Sequence, residues 1–236
     1  MATPLKFYGR LSPYERAKLT SVFSMLFNLT TGAFGVAIGL LTSATAILVS
    51  GLHSLLLGSV KRVYFRGMPA SHGDESRESA YYFAMGVLLA ASSAFYTIYM
   101  LRGTANEREL RFGAGAAIAV CVIAAAELIV NVRGLVTARR NGDLLLEGLR
   151  LADLSAAFVA VAAAANAITS VLGVRDIGYV IYGGRFGAIM GAAGILTGAA
   201  MSIKGALLMR KFSRRERIRI IERTRASNMP DPPANP

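Results

Sequence analysis

Residues 19–60 read LTSVFSMLFNLTTGAFGVAIGLLTSATAILVSGLHSLLLGSV, 42 residues without a single Lys, Arg, Asp or Glu. A soluble helix shows a polar face at every turn, and this stretch does not. An α-helix rises about 1.5 Å per residue, so one helix of this length would reach about 63 Å, roughly twice the thickness of a bilayer's hydrocarbon core. The run therefore holds two spans. Its break falls near Gly39–Ser43, giving spans over about 19–39 and 43–60.

Outward from this stretch the pattern repeats. Ser79–Leu101, Leu154–Val174 and Phe186–Ile203 are uncharged, and Arg111–Arg133 is interrupted only by Glu127. A bilayer needs roughly 20 apolar residues per helical crossing. The further spans fall at about 80–101, 112–132, 149–172 and 185–208. The expected fold is all-α, a polytopic membrane protein of six transmembrane helices. Residues 1–18 form an N-terminal segment, 19–208 the membrane domain, and 209–236 a basic tail whose Pro-rich end after Asn228 has the composition of a disordered segment. No small-residue cleavage site follows the first apolar run, so it reads as a retained span and not a signal peptide.

The loop charges orient the spans. Lys6, Arg10, Arg16 and Lys18 precede the first span. Lys61, Arg62, Arg66 and Arg77 follow the second, Arg133, Arg139, Arg140 and Arg150 follow the fourth, and nine basic residues begin at Lys204. The other side holds only Arg102, Arg108, Arg111, Arg175 and Arg185, so 21 of the 26 basic residues share one side. The positive-inside rule makes that side cytoplasmic, with both termini there. The expected location is the plasma (inner) membrane. The net charge of +12 follows this topology and does not mark a nucleic-acid partner. The tail RKFSRRERIRIIERTR (210–225) reads as a helical extension of the last span. It serves either as a topology anchor at anionic headgroups or as a docking site for an acidic partner.

Three ionisable side chains fall within spans: His53, Glu127 and Asp153. Charge at bilayer depth is costly, about 2.5–3.5 kcal/mol on insertion scales, so such groups turn inward and find partners. Asn28, Asn131 and Asn166 are available to hydrogen-bond with them. Individually, His53 reads as an interhelical donor, Glu127 as a partner of Arg133, and Asp153 as an acid favoured at a helix N-terminus. Together they read as a proton or cation site, since imidazole and carboxylate suit both. Gly187, Gly191, Gly194 and Gly198 have the small-residue spacing that lets helices approach closely, either within the chain or across a homodimer or other membrane subunit. The lone Cys121 forms no internal disulfide and no metal cluster. No nucleophile–base pair, HExxH helix or phosphate loop is present, so an enzyme is not expected, and no cofactor is indicated.

The second span, SATAILVSGLHSLLLGSVKRVYFRG, resembles the second transmembrane helix of the cation diffusion facilitators. Ser50-Gly51-Leu52-His53-Ser54 stands where that family has an acidic residue, a spacer and His-Ser. The loop carrying Pro69, His72, Gly73, Arg77 and Glu78 is similar to the family's cytoplasmic loop. LEGLRLADLSAAF (145–157) is similar to its His-x-x-x-Asp helix, with Asp153 on the aspartate. The resemblance implies cation transport, with His53 and Asp153 as metal ligands and Ser50 beside them. The family's four-residue ligand pairs are incomplete: Leu57 is the partner of His53, Leu149 that of Asp153, and Ser50 stands where an acid is common. The 28 residues after 208 hold no counterpart of the family's cytoplasmic C-terminal domain. The expected function is a divergent transporter of a cation or of a proton-coupled small solute. The alternative is a non-transporting membrane scaffold or subunit of a larger complex.

Overall fold

The structure is a computed structural model that describes residues 13–42, 45–70, 74–103, 113–171 and 178–227. Among these residues the fold is all-α, with six helices and no strand: α1 (Pro13–Thr42), α2 (Thr45–Ala70), α3 (Glu75–Gly103), α4 (Ala114–Asn141), α5 (Leu144–Val171) and α6 (Gly178–Ser227). The long apolar run breaks between Thr42 and Thr45, within a few residues of the expected point. Several helices outrun the spans. α1 opens at Pro13, a residue tolerated in a first helical turn. α2 continues past Val60 through Lys61, Arg62 and Arg66 to Ala70.

Local chemistry sets the helix ends. The Asp74 carboxylate accepts the Ser76 and Arg77 amides at 3.0 and 3.1 Å, capping α3. Gly142 closes α4 in the left-handed region at φ 69°, where a side chain would be strained. Asp143 then accepts the Leu146 amide at 2.8 Å and starts α5. Two residues thus reverse the chain between two 28-residue helices.

Consecutive helices run antiparallel. Gly32 lies beside Leu55 and Gly39 beside Leu48 at α1–α2; Gly67 lies beside Tyr81 at α2–α3; Gly134 lies beside Arg150 at α4–α5. Helices α2, α3, α5 and α6 form the centre, while α1 packs mainly on α2 and α4 on α5. Phe23, Phe27, Phe34 and Leu41 of α1, Ile118, Val122 and Ile129 of α4, and Leu196 and Ile203 of α6 face outward and exposed. So large an apolar surface is stable only against lipid or another apolar partner. Among the described residues, four helices are long and apolar enough to cross a membrane: α1 over Ser21–Leu41, α3 over Glu75–Arg102, α4 over Ala117–Asn141 and α6 over Arg185–Arg215. α2 and α5 carry shorter uncharged runs, 45–60 and 154–171, with their charged residues, Lys61 to Arg66 and Glu147 to Asp153, at one end of each run. The protein is a helical membrane protein.

The most extensive helix contact, α3 against α6, uses the expected glycines. A Cβ at Gly187 would meet Met100, at Gly191 Thr97, at Gly194 Ser93 of α3 and Ser155 of α5, and at Gly198 the backbone of Ala90. Their faces are therefore covered within the chain and are not free to pair two copies. At Gly198 the obstacle is backbone, which cannot rotate away. Gly198→Ala should lower the thermal unfolding midpoint in detergent, at a cost of about 1–3 kcal/mol. Gly115→Ala, where nothing lies within 4 Å of the added carbon, should leave the midpoint unchanged or raise it slightly.

Candidate functional site

Asp153 lies in the third turn of α5, three residues from Arg150 and so on the same helix face. The antiparallel packing of α2 brings Lys61 opposite. Its Nζ sits 2.6 Å from Asp153 Oδ1, with the two side chains only 1% and 6% exposed. Ser24 of α1 stands between them, accepting from Lys61 Nζ and donating to Asp153 Oδ1 at 3.4 Å. Arg150 Nη1 is 3.7 Å from Asp153 Oδ2. From α4, Asn131 Nδ2 donates to the Asp153 backbone carbonyl at 3.2 Å. Glu127, one turn before Asn131, is half-buried and within electrostatic reach of both Asp153 and Lys61. Four helices thus converge on one residue, with α1, α2 and α5 itself reaching its carboxylate and α4 its backbone carbonyl.

Of the expected site residues, Asp153 and Glu127 come together. His53 has a different neighbourhood. It is buried between α2 and α3, with Nδ1 3.4 Å from the Ser92 carbonyl and its ring 5.3 Å from that of Tyr96. It lies eight positions before Lys61, a rise of about 12 Å. Its Nε2 is buried without a hydrogen-bond partner, as are Asn28 Nδ2 and Arg150 Nε. Asn28 is one turn beyond Ser24 on α1, and Ser50 is half-buried one turn before His53. The loop residues His72 and Gly73 and the side chain of Asn166 lie outside the described residues.

Leu57 and Leu149, which stand at the family's remaining ligand positions, are 1% and 0% exposed in an apolar cluster with Val60, Tyr64, Tyr82 and Met85. They contribute packing there and no ligand atoms. Among the described residues, no three His, Cys, Asp or Glu side chains are grouped so as to hold a metal ion. Even a cation at Asp153 would meet two protein cations already in place.

A second ionic node lies one and a half turns earlier on α5. Glu147 is buried, with Oε2 2.6 Å from Lys204 Nζ of α6 and Oε1 3.2 Å from Arg139 Nε of α4. Glu78 of α3 accepts the Leu144 amide at 3.2 Å. These residues border a cleft of about 610 Å³ that Leu208 and Phe212 of α6 also line.

Sequence reasoning missed Lys61, Arg150, Ser24 and the Glu147 node. Lys61 and Arg150 were counted among loop charges that set topology, although both are absorbed into the bundle. The available signal was their placement: basic and acidic residues at the same end of two spans that the resemblance already pairs. No known protein-family model matches the chain, and no curated protein matches it in sequence.

The cluster makes a stability prediction with an internal control. Removing one member of a buried pair strands a charge, at a cost of about 3–5 kcal/mol, whereas removing both costs far less. Lys61→Met and Asp153→Asn should each lower the thermal midpoint. The double variant should be no worse than either single one, and strictly additive losses would show that the two side chains do not interact.

Proposed function

We propose that the chain is an integral membrane transporter of a cation, or of a proton-coupled small solute, with Asp153 as its exchanging group and both termini in the cytoplasm. One observation carries this reading: a buried carboxylate met by polar side chains from α1 and α2, in a residue whose backbone carbonyl is also hydrogen-bonded from α4. Buried ion pairs rarely add stability over apolar packing of the same volume, so stability alone is a poor reason for one here. Exchange gives it a use. Asp153 holds the Lys61 ammonium, an incoming cation, or a proton, and gaining one weakens its hold on the others. The orphaned His53 Nε2, Asn28 Nδ2 and Arg150 Nε fit a hydrated path past this point, because buried polar atoms without protein partners are usually met by water. The resemblance to cation diffusion facilitators supports the substrate class. Leucine at two ligand positions argues against their tetrahedral metal site.

The second reading, a non-transporting membrane scaffold or subunit, is favoured by the charge balance. Asp153 faces Lys61 and Arg150, and Glu147 faces Arg139 and Lys204, so neither acid has an uncompensated charge. Proteoliposomes carrying a pH-sensitive dye separate the two. Under the transport reading, one of a panel of monovalent and divalent cations drives proton counterflow. Asp153→Asn then abolishes that flow, with His53→Ala reducing it. Folded wild-type protein that moves no cation in the panel supports the scaffold.

A further inference from the structure

α6 is 50 residues long, about 75 Å, against a hydrocarbon core of about 30 Å. Its last apolar residues before the tail are Leu207, Leu208 and Met209. Residues 210–227 remain helical and rise about 27 Å further. Sharp helix bends arise at Pro or Gly, and neither occurs between Gly205 and Ser227. The extension therefore continues along the axis of the span and leaves the bilayer behind.

Its charge is unbalanced. Residues 210–225 hold eight Arg or Lys against Glu216 and Glu222. The pairs Arg210–Arg214, Lys211–Arg215, Arg215–Arg219 and Arg219–Arg223 are four residues apart, where like charges oppose helix formation. Arg210, Lys211, Arg214 and Arg215 are exposed, and among the described side chains none forms an ion pair with them. Lipid headgroups reach only the first turn or so, because surface potential decays over about 8 Å at physiological salt while Arg225 stands some 24 Å along the axis. Nor do the basic residues leave one side apolar: stepped at 100° they cover about two-thirds of the circumference, and the remaining sector holds Ser213, Glu216, Ile220 and Thr224, unlike the apolar face of a segment that lies in the interface. Ile218 is exposed among them. A phosphate backbone offers it nothing, whereas a protein can supply an apolar contact.

We infer that residues 210–227 of α6 are a docking helix for an acidic protein segment, which gives carboxylates to Arg214 and Arg215 and an apolar contact to Ile218. Arginine suits this task because its planar fork binds a carboxylate through two parallel hydrogen bonds. A second copy of the chain is excluded as the occupant by its like charge. The inference is independent of whether the bundle transports.

The test uses the full chain in nanodiscs of neutral phosphatidylcholine and a fluorescent Glu/Leu helical peptide as probe. The peptide should bind, and Arg214→Glu with Arg215→Glu should weaken it roughly tenfold or more. Ile218→Ala should weaken it severalfold at unchanged charge, and a Glu/Ser peptide of equal charge should bind less tightly. The variants are read only as monodisperse protein, which their exposed positions favour. Equal binding of the reversed-charge variant overturns the inference. So does single-stranded RNA that binds as tightly as the peptide and ignores Ile218→Ala, or a tail that binds anionic vesicles but not the peptide.

Discussion

An ammonium and a carboxylate 2.6 Å apart and out of water impose most of this architecture. Neither Lys61 nor Asp153 can face lipid, so α2 and α5 must turn those faces inward. The helices that carry neither member of the pair are free to lie outside. α1 and α4, whose spans are the least buried in the bundle, each pack mainly on one charged helix, α1 on α2 and α4 on α5. α1 also gives the ion pair hydrogen bonds through Ser24, and α4 gives one to the Asp153 backbone carbonyl through Asn131. The outer helices therefore act as covers over the residue, and α1 also helps to solvate its charge.

The other half of the bundle is held differently. α3 and α6 meet through glycines, with Gly86 and Gly198 each set against the partner's backbone. Lipid gives no hydrophobic drive for helices to associate, so close backbone approach and the dispersion contacts it brings supply the cohesion. This seam involves no charge until Lys204, where α6 reaches Glu147. The molecule thus combines one interface built by shape and one built by charge, and α5 takes part in both.

Much of this was legible in the sequence because it rests on one-dimensional constraints. The length of an uncharged run fixes how many helices it holds, and glycine spacing marks a close seam. The break near Gly39–Ser43 and the packing role of Gly187, Gly191, Gly194 and Gly198 follow from those constraints alone. The pairing of Lys61 with Asp153 does not. A lysine directly after an apolar run has two meanings, a loop anchor or a buried partner, and only the three-dimensional register of α2 against α5 chooses between them. For the same reason His53 and Asp153 were grouped by motif, although α2 presents His53 to α3 and Lys61 to α5. α2 runs ten residues past the expected span, because a run of apolar residues marks a crossing and a helix can continue beyond the bilayer.

α5 then limits how the bundle can rearrange. Glu147 and Asp153 lie six residues apart on it, each bound to cations from other helices: Lys61 from α2, Arg139 from α4 and Lys204 from α6. A slide of α5 by one turn, about 5.4 Å, would separate both acids from their partners at once. The Glu147 partners are half-exposed and can be replaced by water, so that node opens at small cost. Asp153 has no such replacement, and its separation from Lys61 would strand two charges in an apolar interior. Any motion of α5 must therefore carry α2 with it, or wait until a proton or another cation has neutralised Asp153. That dependence couples the position of a helix to the charge state of one carboxylate, and it follows from the ion pair's burial alone, whatever the bundle is used for.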